Sequence, residues 1–121
     1  MAFQDLNQHG GLIGKTVTGL VITKTAAMQL QVATGSVLLH RTGTTYTLSS
    51  VQSRTFTADA TRNRLVFIGL INNGVTADIW IDDYVDDKKT ATDDPPSGYT
   101  LIHDLSWFTI TPNLSDLDNI T

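Results

Sequence analysis

The residues best suited to chemistry in this chain are acidic and bunched late: Asp82-Asp83, Asp86-Asp87 and Asp93-Asp94. Carboxylates at that density could coordinate calcium, and two held across a cleft could hydrolyse a glycosidic bond. The spacing fits neither case. An EF-hand loop needs a mid-loop glycine and a closing bidentate glutamate, but this chain has no glutamate, and Lys88 and Lys89 interrupt the run. Asp83 to Ser97, with Pro95 and Pro96, therefore reads as a solvated hairpin tip. His9, His40 and His103 lack the i, i+4 spacing of a helical zinc motif. His40 and His103 would meet only if their strands were neighbours. No G-x-S-x-G elbow is present, and Gly14-Lys15-Thr16 matches a Walker loop only at its last three positions. The sequence predicts no catalytic residue, no cofactor and no metal ligand.

The aromatic residues offer a different chemistry. Trp80, Tyr84, Tyr99, Trp107 and Phe108 cluster in the last third of the chain, with Asp and Asn among them. Exposed rings beside hydrogen-bonding carboxylates stack on sugars; covered rings fill a core or a subunit interface. The residues alone leave both readings open.

These groups must be positioned by strands. All 12 acidic residues are aspartate, and threonine occurs 19 times. Asp favours caps and turns, and Thr favours strands, so helix is disfavoured throughout. Strands are predicted at Thr16–Thr23 and Ala27–Val32 about a turn at Lys24-Thr25-Ala26. Gly35–Arg41, Thr44–Leu48 and the shorter Arg54–Ala58 follow, before a polar turn at Asp59–Asn63. Arg64–Ile71 is the longest apolar run and suits a central strand covered on both faces. Asn72-Asn73-Gly74 signals a hairpin, with a return strand over Thr76–Asp82 whose alternation turns Trp80 away from the core. Gly98–Asp104 and Trp107–Ile110 close the series. About eight short strands at this spacing predict an all-β fold, an antiparallel β-sandwich or small barrel.

Residues 1–15 differ from the rest, with Gly10, Gly11 and Gly14 and no sustained period. They read as an irregular arm preceding a β-sandwich domain over residues 16–121. Phe3, Leu6, Leu12 and Ile13 make that arm apolar enough to dock on a neighbour. One domain is expected at 121 residues, large enough to bury a core without staples. With no cysteine, disulfides and thiolate metal sites are excluded. A net charge of −4 with eight Lys and Arg argues against nucleic-acid binding. No apolar run approaches the roughly 20 residues of a membrane helix, and the first residues lack signal-peptide character.

The order of these features resembles a recurring domain of tailed-bacteriophage virions, found in tail fibres, baseplates and related appendages. The matching stretches are Gly35-Ser36-Val37-Leu38-Leu39, Thr44-Thr45-Tyr46-Thr47-Leu48, Asn63–Ile68 and Pro95-Pro96-Ser97-Gly98-Tyr99-Thr100-Leu101-Ile102, with a final strand near Trp107–Ile110. The resemblance spans residues 16–112. Its departures are the long charged insertion at Asp82–Asp94 and an acidic ending at Ser115–Thr121. It implies a structural, non-enzymatic virion protein made in the host cytoplasm: a tail-fibre, baseplate or capsid-decoration component. Implied partners are other virion proteins and copies of itself, as a homotrimer. The interface candidates are Phe3, Leu6, Leu12, Ile13, Trp80, Tyr84 and Trp107. The alternative is a carbohydrate-binding module for the host surface. Trp80 and Tyr84 would then form the stacking platform, and Asp82 or Asp83 would accept sugar hydroxyls.

Overall fold

A computed structural model describes residues 14–85 and 95–120. The predicted arm before Gly14, including Phe3, Leu6, Leu12 and Ile13, lies outside the described residues, as do Asp86–Asp94 of the acidic loop. Among the described residues there are nine strands in three antiparallel sheets, and the one helical element is a 3-10 turn at Leu117–Asn119.

Two of the sheets are halves of a single bent ribbon. β1 (Lys15–Gly19) pairs with β4 (Gly35–Leu39), and β2 (Ile22–Ala26) with β3 (Gln29–Val32). One register runs through both pairs, from Lys15↔Leu39 through Gly19↔Gly35 to Lys24↔Leu30. The ribbon is therefore one long hairpin, creased where Leu20 N donates to Thr34 O at 3.1 Å and Ala33 N to Val21 O at 2.9 Å. Its third strand is creased at the same level. β5 (Thr44–Leu48) pairs with β4 and β6 (Gln52–Thr55) with β3, and the pairing slips by one residue between them. Strands that change sheet at such corners commonly do so through bends and bulges.

The crease depends on glycine. Gly19 adopts a φ of +71°, and a Cβ on the facing Gly35 would strike the carbonyl oxygen of Thr18 and lie 2.5 Å from Leu20 N. Leu20 itself sits at φ 59°, a left-handed conformation costing a non-glycine residue about 1 kcal/mol. Burial of its side chain in the core contributes roughly 2 kcal/mol in the other direction.

The third sheet holds β7 (Arg64–Asn72) between β8 (Ala77–Val85) and β9 (Thr100–Ile110). Val66, Ile68 and Leu70 point from β7 into the core, where they meet Leu20, Val32, Val37, Leu48 and Phe56 of the ribbon. Phe56 and Phe108 close this core edge-to-face at 5.6 Å. The sheets stack as a sandwich and do not close into a barrel by hydrogen bonding.

Several predicted boundaries are corrected. Lys24-Thr25-Ala26 belongs to β2, with a register shift between Lys24 and Ala26 that leaves Thr25 unpaired in the ladder, and the turn falls at Ala27-Met28. The Asn-Gly hairpin closes with four loop residues because Asn72 pairs with Ala77. Asn73 Oδ1 accepts from the backbone N–H groups of Val75 and Thr76, at 2.9 and 2.8 Å, so a side chain shapes the loop. The last two predicted strands are one, β9, whose alternation is broken by register shifts opposite Ile68/Gly69 and Leu70/Ile71. Lys15 belongs to β1 and so to the body. Asp83 lies in β8, on the core side opposite Val66, and not in a solvated loop. With its side chain 6% exposed, it pairs with Arg64 Nε at 2.8 Å and Arg54 Nη2 at 3.5 Å.

The acidic ending is also structural. Leu117 is buried in the core, and its N–H donates to Ala27 O at 2.7 Å. On either side of it, Asp116 and Asp118 each accept from Lys24 Nζ at 2.7 Å. These bonds raise the Lys24 pKa, while the Lys24 bond and the Asp118 N–H lower that of Asp116. Asp59 caps the polar turn before β7 in a similar way. Its carboxylate accepts from Thr61 N at 2.9 Å and Arg62 N at 3.1 Å, and its pKa falls to about 2, led by the Thr61 bond.

A folded-state pKa below the ordinary 3.8 gives stability that is present above 3.8 and lost as pH falls toward about 2. Asp59→Asn should therefore flatten the acid limb of the stability–pH curve over that window, measured by urea unfolding at successive pH values. An unchanged slope there would contradict the capping role.

Candidate functional site

β7 is apolar on both faces, and this places the site. Val66, Ile68 and Leu70 enter the core, while Leu65, Phe67, Gly69 and Ile71 face outward. An antiparallel sheet with one solvated face ordinarily alternates apolar and polar residues. Here the outward positions hold large apolar groups, and the flanking strands add more. Trp80 stands opposite Gly69 and Tyr84 opposite Leu65 on β8; Trp107 stands opposite Phe67 and Leu101 opposite Ile71 on β9.

Phe67 is the centre of this face. The residue is 3% exposed, its ring covered edge-on by Trp80 at 5.4 Å and by a tilted Trp107 at 4.5 Å. Such pairs contribute about 0.5–1.5 kcal/mol each beyond the area they bury. Gly69 makes the arrangement possible. A Cβ there would lie 2.9 Å from the Phe67 ring and 2.7 Å from Leu101 Cδ1, so the missing side chain lets both settle over the backbone. Trp107 is nevertheless 59% exposed and Leu101 37%. Trp107 also walls an open cavity of about 310 Å³ with Leu65, Tyr84, Phe108 and Thr109. Asp78, Asp82 and Asp104 occupy register positions on the same face, opposite Ile71, Phe67 and Gly69, and place carboxylates between its apolar groups.

The structure brings the predicted Trp80, Tyr84 and Trp107 onto this one face. Phe67, Leu101, Leu65 and Gly69 are site residues that the sequence does not single out. For Phe67 a signal is present, since a run apolar at every position buries both faces and its odd members must be covered by something. Leu101 has no such signal, because its direction is set by the β9 register shifts.

The other candidates separate. His40 Nε2 lies 2.6 Å from Thr16 Oγ1, at the end of β4. His103 stands in β9 opposite Leu70, and those two strands, β4 and β9, do not pair. Burial lowers the His103 pKa, helped by the Lys15 charge; Lys15 Nζ donates to Ile102 O at 3.0 Å. Among the described residues, no group of three or more His, Cys, Asp or Glu side chains is placed to hold a metal ion. Asp83 cannot serve sugar hydroxyls from the outer face, since it points inward to its two arginines.

No family model matches the chain, and no curated protein or solved structure shows significant similarity to it.

Proposed function

We propose that this chain is a non-catalytic building block of a tailed-bacteriophage virion, in a fibre, baseplate or head decoration. It assembles with copies of itself as a trimer, and with other virion proteins, through the outer face of the third sheet. The observation that carries this reading is Trp107, packed on Phe67 at 4.5 Å with 59% of its surface uncovered. Rigid aromatic groups with a polar rim are the composition of interface centres, and covering such a tryptophan contributes roughly 3 kcal/mol. The order of strand and turn segments, from Gly35 to Ile110, supports the virion context. Purified protein added to phage particles assembled without it should bind saturably, and Trp107→Asp should bind at least about 100-fold more weakly. Absence of saturable binding by the unaltered protein would contradict the proposal.

The cavity between Tyr84 and Trp107 favours a second reading, a host-glycan site. A sugar ring would stack on Trp107, with Asp82 as the hydroxyl acceptor on that face. Retention on a glycan array that Trp107→Ala abolishes would favour it, and an array without hits would remove it.

A further inference from the structure

We propose that the aromatic outer face is the seat for residues 1–13 of a neighbouring copy of this chain. The inference rests on the assembly reading above and names the occupant. Three observations lead to it, beginning with where the described chain starts. Gly14 O accepts from His40 N at 2.8 Å, and Lys15, paired with Leu39, reaches Ile102 O of β9 at 3.0 Å. The arm therefore joins the body beside the strand that presents Leu101 and Trp107.

The second observation is reach. Thirteen residues span at most about 45 Å when extended, enough to leave one protomer and cross the sheet of another. β1 pairs antiparallel with β4, so Gly14 lies beside the turn at residues 40–43.

The third is chemistry. Phe3, Leu6, Leu12 and Ile13 supply apolar groups, with Asp5 the single carboxylate among them. They match the face in being apolar where it presents Phe67, Leu101 and Trp107, while Asp82 and Asp104 stand among those groups opposite Phe67 and Gly69. Each copy gives an arm and receives one. Such a head-to-tail contact closes into a ring when the rotation between copies allows it, and three copies would satisfy every face.

The chain has no cysteine, so introduced ones report without background. Ile13→Cys and Asp104→Cys are prepared as separate full-length proteins, one tagged, then mixed and oxidised. Asp104 is on β9 and is not one of the apolar groups of the face. A mixed disulfide is expected between the two proteins, and none between Ile13→Cys and Thr18→Cys, which sits on the β1 edge. Leu12→Asp should weaken self-association to the same degree as Trp107→Asp. Failure to form the mixed disulfide would overturn the arm proposal. So would coupling only within a chain carrying both cysteines, which would place the arm on its own protomer. If Trp107→Asp still dissociates the assembly while the cysteines stay apart, the assembly reading stands and this inference falls. If Trp107→Asp leaves the mass unchanged, both fall.

Discussion

Asp83→Ala should destabilise the protein by about 2–4 kcal/mol, seen as a lower urea midpoint with an unchanged slope. Asp83 is 6% exposed and holds Arg64 and Arg54, which fasten β8 to β7 and to the ribbon strand β6. Removing one partner of a fully buried pair costs about 3–5 kcal/mol because the remaining charge is stranded. The arginines here are 25% and 42% exposed and can turn toward water, which lowers the expected loss. Replacement by Asn should cost less, since its carbonyl still accepts one arginine hydrogen bond. A midpoint unchanged in Asp83→Ala would mean that the cluster contributes nothing to the joint between ribbon and sheet.

Gly35→Ala should cost about 3 kcal/mol or more, close to the upper end for overpacking. The atoms its Cβ would meet, Thr18 O and Leu20 N, are backbone and cannot rotate away as a flexible side chain would. Relief would require opening the crease, and that would withdraw Leu20 from the core. Gly43→Ala is the matched control. Gly43 lies in a turn with open space where a methyl group would stand, although its φ of +71° still adds the ordinary penalty of a left-handed alanine. Thermal unfolding of the two variants side by side separates crowding from backbone conformation. Equal losses would remove the crease from the account.

The strands are largely legible from residue types. Thr44–Leu48 has the predicted ends, and Arg64–Ile71 is central and covered on both faces as its unbroken apolar run requires. The alternation through Ala77, Ile79 and Ile81 turns Trp80 outward, as observed, because a strand's period of two leaves no other choice. The bent ribbon is not legible. Its crease depends on two glycines sixteen positions apart facing each other, and nothing local to Gly19 or Gly35 announces the pairing. β9 reads as two strands because its register shifts scramble the alternation that would mark one. Asp83 reads as loop for a related reason. In a run of aspartates, only the strand register tells the inward carboxylate of Asp83 from the outward one of Asp82.

The candidate site is half legible. Trp80, Tyr84 and Trp107 can be picked out by residue type, but their union on one face needs the order β8-β7-β9. Phe67, which supports both tryptophans, is distinguished from its core neighbours only by the parity of its position.

The most direct test of the proposed assembly is sedimentation velocity on the full-length protein across a range of concentrations, beside its Trp107→Asp variant. The proposal expects the unaltered protein to sediment at a multiple of its 13.2 kDa chain mass. The variant should retain the strand-rich dichroism spectrum but sediment as a single chain. A single-chain mass for the unaltered protein at every concentration would contradict the proposal, as would a folded variant that keeps the full assembly.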